Sequence, residues 1–264
     1  MKEMKIYKIL FRLRYNNKYY FMLKHIFTDV DKIVNVEIET TTLCNRNCIF
    51  CPLSKDKKGE KFMDESLFYK IIDELGNMPF EGYIWLNHYG EPLLDKRLPK
   101  FVKYIRRKLK NVKIGFFSNG DLLTPTKAKS LISIGLDLIR ISQHDTNPSK
   151  QISELKKYDW DGKIMFQVEN IKSQHLSNRC GSVQVETMYP MYCKLNGIII
   201  RVDGDLALCC NDYYKEVKLG NIKNNTIKDI WNSKKYRKIR KDLKSGRFYL
   251  DICKKCRGEE PYIS

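Results

Sequence analysis

The stretch Thr41-Thr42-Leu43-Cys44-Asn45-Arg46-Asn47-Cys48-Ile49-Phe50-Cys51-Pro52 sets three cysteines at Cys-x3-Cys-x2-Cys. An apolar run with strand-like alternation, residues 33–38, leads into it. Proteins of the α/β class place their chemistry on loops at the C-terminal ends of strands. Three thiolates on so short a loop can hold three irons of a cubane and leave the fourth iron open to a substrate or cosubstrate. A structural zinc site closes four ligands instead, usually as two cysteine pairs. Disulfides are not expected in a chain without a secretion signal. The loop therefore reads as an iron–sulfur site.

The rest of the composition agrees with a metalloenzyme. A chain of 264 residues with 42% hydrophobic residues can bury a core of one domain or one and a half. No uncharged apolar stretch is long enough to span a bilayer, and the basic N-terminus lacks the apolar core and cleavage site of a signal peptide. A cytoplasmic location is expected, and there nine cysteines point to metal rather than disulfides. The net charge of +18 fits either solvated lysine-rich faces or a polyanionic partner. No nucleic-acid motif accompanies it, so no nucleic acid is expected. In residues 1–30 basic side chains such as Lys5, Lys8, Arg12 and Arg14 interleave with Ile9, Leu10, Phe11 and Leu13. That mix suits an amphipathic helix, packed over the base of a barrel or in peripheral contact with a membrane.

From residue 33 the pattern alternates. Strands read at 33–38, 83–87, 112–117, 138–142 and 164–168, and helices at 64–75, 98–109, 124–134 and 148–157, with Asp64 and Thr124 as N-caps. Regular βα repetition implies parallel strands with right-handed crossovers, and five or six such units give an open, TIM-like partial barrel. After residue 181 the rhythm changes. Asp203-Gly204-Asp205 reads as the turn of a hairpin between 197–201 and 206–208, helices follow at 226–231 and 234–243, and Cys253-Lys254-Lys255-Cys256 reads as a terminal loop. The expected division is a basic segment 1–32, a partial barrel 33–180 and a small α+β domain 181–264.

Three further motifs close predicted strands. Asn87-His88-Tyr89-Gly90-Glu91-Pro92 follows the second, where Gly90 permits close backbone approach and Glu91 can accept from an ammonium. Ser118-Asn119-Gly120 follows the third and reads equally as a simple turn. Ser142-Gln143-His144 ends the fourth. Downstream, Cys193, Cys209, Cys253 and Cys256 supply four thiols that could close a zinc site or a cubane. Cys209 and Cys210 are adjacent and would point to opposite faces of a strand, so only one should ligate. Cys180 and Cys210 are left over and read as small buried apolar groups.

With the cysteine loop and these motifs in view, the chain resembles the radical S-adenosylmethionine (radical SAM) superfamily. The resemblance implies a partial (β/α)6 TIM-like barrel and a 4Fe–4S cluster on Cys44, Cys48 and Cys51. SAM would chelate the open iron and be cleaved reductively to a 5'-deoxyadenosyl radical. It places Phe50 near the adenine and Gly90 and Glu91 at the SAM amino group. Ser118, Asn119, Ser142 and Gln143 would make further SAM contacts. Cys193-x10-Gly204-x4-Cys209 followed by Cys253-x2-Cys256 resembles the twitch domain, the short form of the SPASM domain, which implies a second 4Fe–4S cluster and selects Cys209 over Cys210. Since the chain ends at Ser264, a third cluster is not expected. Asn178-Arg179, Gln143-His144, Gly220-Asn221-Ile222 and Asp229-Ile230-Trp231 resemble the 2-deoxy-scyllo-inosamine dehydrogenase family. That resemblance puts Arg179 at a substrate alcohol and implies a sugar, cyclitol or conjugate as substrate and a flavodoxin- or ferredoxin-type reductant. Cys180 stands where that family has a glycine, and Cys210-Asn211 where it has an aromatic–carboxylate pair. Three reactions are open: alcohol oxidation, epimerisation with Cys180 or Cys210 returning hydrogen, and peptide modification.

Overall fold

The computed structural model describes residues 29–56, 59–144, 147–168, 177–183, 193 and 195–259. Most of the basic segment 1–32 lies outside them. Strand β1 (Asn35–Ile38) is followed by α1 (Glu65–Gly76), β2 (Tyr83–Trp85), α2 (Leu98–Lys108), β3 (Lys113–Ser118), α3 (Pro125–Ser133), β4 (Leu138–Gln143), α4 (Lys150–Leu155) and β5 (Ile164–Val168). Then come β6 (Gly197–Ile200), β7 (Leu206–Ala207), α5 (Ile227–Asn232), α6 (Lys234–Lys244) and α7 (Asp251–Cys256).

The βα rhythm is as expected, and its helix starts have chemical causes. The Asp64 carboxylate accepts from the amides of Ser66 and Leu67, Thr124 Oγ1 from Lys127 and Thr226 Oγ1 from Asp229. The strands form one sheet in the order β5-β4-β3-β2-β1-β6-β7, parallel except for the β6–β7 hairpin. Val36 and Ile38 on β1, Ile84 on β2 and Ile139 and Ile141 on β4 pack with helix residues such as Phe68, Ile71, Phe101 and Leu131 in one core. The alternate residues Glu37, Trp85, Phe117, Arg140 and Ser142 fall on the other, concave face, because strand side chains alternate.

Three features differ from the sequence expectation. The strand β6, placed in the C-terminal unit, hydrogen-bonds in parallel to β1, with Asn35 opposite Gly197 and Ile38 opposite Ile200. It is the sixth parallel strand of the main sheet. The pair Cys253 and Cys256 sits on α7, not on a loop. Strand β7 stops at Ala207, so Cys209 and Cys210 lie in a turn; there the amide of Asp212 donates to Cys209 O (3.0 Å) and that of Leu208 to the Asp212 carboxylate (3.1 Å).

The C-terminal helices close back on the start of the sheet. Arg240 is fully buried against Trp231, its guanidinium carbon 3.6 Å from the ring centre, and donates to Val30 O and Trp231 O. Trp231 Nε1 donates to Asp31 O at 2.9 Å. At the hairpin, the buried Arg201 Nε lies 2.8 Å from Glu39 Oε2, and the Val202 amide donates to the same oxygen. A charge pair this deep is favourable only if the remaining donors are satisfied. Arg201 Nη1 reaches Tyr213 O at 3.1 Å, whereas Glu39 Oε1 is buried without a partner among the described residues. Among the described residues, no helix is long and apolar enough to cross a membrane.

Candidate functional site

The cysteine loop leaves β1 and returns as a short antiparallel turn. Thr42 Oγ1 donates to Gly59 O (2.7 Å), the Lys61 amide donates back to Thr42 Oγ1 (2.9 Å), and Met63 N donates to Thr40 O (2.9 Å). Inside this frame Cys51 N donates to Cys48 O at 2.9 Å. Loops from neighbouring strands clamp it. Arg46 makes a two-pronged ion pair with Asp121 beyond β3 (2.6 and 2.7 Å), and Asn119 Nδ2 donates to Asn45 Oδ1 (2.9 Å).

Gly90 and Glu91 close the clamp from β2. The Glu91 amide donates to Leu43 O at 2.6 Å, and a Cβ at Gly90 would lie 2.1 Å from Thr41 O. Only glycine fits there. The Glu91 carboxylate is buried; Ser118 Oγ (2.9 Å) and Leu93 N (3.2 Å) donate to one oxygen and Asn119 N (2.9 Å) to the other. Burial pushes Glu91 up, and these three bonds oppose that. Glu91 and Ser118 thus shape the rim from below it.

The expected SAM contacts separate by face. Phe50 packs on His144 at the end of β4, ring centres 4.6 Å apart. Ser142 lies on the concave side of β4. Gln143 alternates to the helix-covered side, where Lys156 Nζ donates to its Oε1 at 2.9 Å.

The thiols show what ligand they suit. Burial raises Cys44 and Cys51 above their usual values, and Arg179 partly offsets this at Cys51. In the distal group Cys193 is pushed up by burial and then by Cys209, and Cys253 is pushed up to about 12 by the same two causes. Cys256 is held down to about 7, chiefly by a hydrogen bond from the Cys180 thiol and also by Asn211. Buried thiols that oppose one another's ionisation are stabilised as thiolates by a cationic iron centre, so both groups fit clusters chemically. Cys180 is buried as expected of an unassigned cysteine, but it lies beside Cys209 and Cys256 and is pushed far up by hydrogen bonding to them.

Between the thiol groups lies Arg179, in left-handed backbone (φ 49°) followed by Cys180 (φ 54°) and Gly181 (φ 82°). Consecutive non-glycine residues in this region are strained, a feature that clusters at functional sites. Asn178 holds the turn: its Oδ1 accepts from Cys180 N (3.0 Å) and its Nδ2 donates to Lys255 O on α7 (2.9 Å). Arg179 Nη1 donates to Asn211 Oδ1 (3.1 Å), and Asn211 Nδ2 reaches Cys256 Sγ (3.7 Å). The Arg179 Nε is shielded from solvent and has no partner among the described residues.

Sequence reasoning missed several members of this site because nothing local marks them. Tyr89 lies under both Arg179 (5.8 Å) and Arg201 (5.5 Å), and its hydroxyl donates to Cys210 O at 2.7 Å. Burial pushes its phenol well above its usual value. His88 Nδ1 lies 3.2 Å from Glu37 Oε2. Arg140 stacks on Trp85 and Phe117, 5.4 Å from each ring centre. Cys210 reaches the protein surface, yet dense protein around its thiol, Cys209 and, more weakly, Glu37 push it up to about 12, while Arg179 opposes them.

Comparison with known proteins places this geometry. Residues 38–172 match the model of the radical SAM superfamily, and residues 193–257 match SPASM, an iron–sulfur cluster-binding domain. The chain is 30% identical over 238 residues to the S-adenosyl-L-methionine-dependent 2-deoxy-scyllo-inosamine dehydrogenase of Niallia circulans, covering 86% of this chain and 94% of that one. A crystal structure of BtrN in complex with AdoMet and 2-DOIA superposes with a TM-score of 0.78 at 29% identity, over 87% of this chain and 97% of that one. The AdoMet-bound structure of anSMEcpe has a TM-score of 0.54 at 16% identity, over 80% of this chain and 83% of that one, and shows the shared fold alone.

Proposed function

The chain belongs to the radical SAM superfamily, with the SAM and two 4Fe–4S clusters that its two domains imply, and from that premise we propose that it oxidises a secondary alcohol of a sugar- or cyclitol-type molecule to a ketone. Bound at Cys44, Cys48 and Cys51 and at Cys193, Cys209, Cys253 and Cys256, the clusters and SAM would supply a hydrogen-abstracting radical on one side of the substrate and a one-electron acceptor on the other. The observation that carries the reading is the position of Arg179. Its guanidinium sits over Tyr89, next to the Gly90–Glu91 clamp on the first group, and Asn211 links it to Cys256 of the second.

The side chains divide the work. Arg179, with its unpartnered Nε, stabilises the alcohol oxygen as negative charge develops there. Phe50 and Ser142 border the space for SAM, and Gly90, Glu91, Ser118 and Asn119 hold the cysteine loop against it. Gln143 supports β4 from the helix side. Arg140, which makes no hydrogen bond or ion pair among the described residues, offers its terminal nitrogens to substrate hydroxyl or phosphate oxygens on the concave face. The N. circulans relative is named for 2-deoxy-scyllo-inosamine, so that aminocyclitol is the first probe. Asn211 is neutral at a position beside Arg179, which favours a substrate without an amine there. A flavodoxin- or ferredoxin-type protein in the cytoplasm would supply the electron that starts turnover.

The test is mass spectrometry of reduced, reconstituted protein with SAM and a panel of free and phosphorylated cyclitols and sugars. A product lighter by two hydrogens supports oxidation; a product of unchanged mass rejects it. A second reading, epimerisation, is favoured by one observation, the Cys210 thiol 3.9 Å from Oδ1 of Arg179's partner Asn211. In deuterium oxide that route puts solvent deuterium on carbon, which oxidation does not.

A further inference from the structure

Alcohol oxidation releases a proton from the hydroxyl, and the side chain that stabilises the oxygen cannot take it. Arginine has five donors, no acceptor, and stays protonated in proteins. The groups around Arg179 are equally unsuited. Asn211 is a neutral amide. The Tyr89 hydroxyl already donates to Cys210 O. Glu39 is held through Oε2 by Arg201 and the Val202 amide, and protonating its buried, unpartnered Oε1 would remove the counter-charge of the buried Arg201. Tyr213 donates its hydroxyl to Asp56 O.

One pair remains. Glu37, on the concave face of β1, holds His88 at the end of β2 through Nδ1 at 3.2 Å, and the His88 side chain is 97% buried while Glu37 is partly open (side-chain exposures of 3% and 29%). With the carboxylate accepting from Nδ1–H, the tautomer leaves a lone pair on Nε2. Nε2 is shielded from solvent and has no hydrogen-bond partner among the described residues. A buried polar atom without a partner requires an explanation, and a lone pair kept open for a substrate proton is one. A base aligned by a carboxylate on its far nitrogen is the recurrent arrangement of general-base sites. The imidazole packs edge-on against Tyr89, ring centres 4.4 Å apart, and Tyr89 is the ring beneath Arg179. The imidazole and the guanidinium thus lie against the same aromatic ring.

We infer that His88 is the catalytic base that accepts the hydroxyl proton and that Glu37 is its positioning residue. The inference rests on the alcohol-oxidising reading above. In the step, the O–H bond would give its proton to His88 Nε2 and the C–O single bond would become a carbonyl, while SAM and the auxiliary cluster, when bound, would take up the carbinol hydrogen atom and the one remaining electron. The charged and titratable groups facing the pair are Tyr89 beside the imidazole, Cys210 near Glu37, and Arg179 and Arg201 beyond Tyr89.

The experiment compares the parent holoenzyme with His88→Gln and Glu37→Gln on an alcohol that the parent converts to a ketone. Ketone and 5'-deoxyadenosine are measured separately across neutral pH, and the reaction is sampled by electron paramagnetic resonance. General bases contribute about 10²- to 10⁴-fold. His88→Gln is expected to lower the ketone rate by about 100-fold or more, to lose the rising limb of the pH profile, to keep forming 5'-deoxyadenosine and to accumulate a carbon-centred substrate radical. Glu37→Gln falls between the two in kcat, with KM unchanged. A His88→Gln enzyme that makes ketone at the parent rate overturns the inference and leaves alcohol oxidation standing. Loss of 5'-deoxyadenosine together with ketone in both variants also overturns it, since the pair then serves structure. A parent enzyme that makes no ketone from any alcohol removes the oxidation reading itself, and the base with it.

Discussion

The two thiol groups of this protein are built in opposite ways. The proximal one spans eight residues of a single loop after β1, clamped by the neighbouring βα loops through Glu91, Asn119 and Asp121 and, just beyond it, by Tyr213, whose hydroxyl donates to Asp56 O. The distal one gathers Cys193, the turn after β7 and the short helix α7, and it exists only once the hairpin has joined β1 and α7 has docked on the Asn178 turn. The first has its geometry set by local chain and, with three thiols, would keep one iron open. The second, in the proposed ligation, would be closed by four thiols, with Cys180 beside Cys209 and Cys256. A reactive centre needs an open position, whereas an electron acceptor is best fully ligated. The contrast in construction thus matches the contrast in proposed role, with Arg179 between them.

The comparison can be broken at several points. Replacing Cys48 by Ala should abolish 5'-deoxyadenosine formation while roughly half the iron stays bound, because the distal group does not depend on that loop. Iron analysis and chromatography of the reaction check this; loss of all iron would show that the two sites are not independent. Replacing Cys253 by Ala should do the reverse. SAM cleavage persists and ketone formation stops, so a variant that still makes ketone at the parent rate contradicts the electron-acceptor role.

Stability sharpens the contrast further. Glu39→Gln leaves Arg201 buried without its counter-charge and should cost about 3–5 kcal/mol in denaturant unfolding, with the distal cluster lost first, since Glu39–Arg201 ties the hairpin to β1. The proximal clamp is weaker. Arg46 holds Asp121 below its usual value through their hydrogen-bonded ion pair. A carboxylate with a depressed folded value contributes stability above its unfolded value, near 3.9, and loses it as pH falls through the folded value. Arg46→Gln should therefore destabilise by about 1 kcal/mol or less at neutral pH, and the difference from the parent should vanish in acid melts. A gap that persists at low pH would mean that Arg46 acts through packing instead.

How much of this was legible follows the same division. The βα alternation, the caps at Asp64 and Thr124 and the cysteine loop are local patterns, and the structure keeps them with ends shifted by a residue or two. Strands β1 and β2 are shorter than their apolar runs, although beyond β2 the Leu86 amide still donates to Gly115 O. What could not be read is what depends on partners distant in sequence. The pairing of β6 with β1 has no local mark. Cys253-x2-Cys256 has the same spacing in a loop or on one helical turn. Glu37 and His88 are 51 residues apart in the chain. Gln143 was readable in principle: strand alternation alone separates it from Ser142.

The most direct measurement follows a deuterium atom. With substrate alcohol labelled at the carbinol carbon, the reduced and reconstituted protein should deliver that deuterium into 5'-deoxyadenosine and form unlabelled ketone in equal amount. Failure to release 5'-deoxyadenosine, or its release without label beside a product of unchanged mass, would contradict the account.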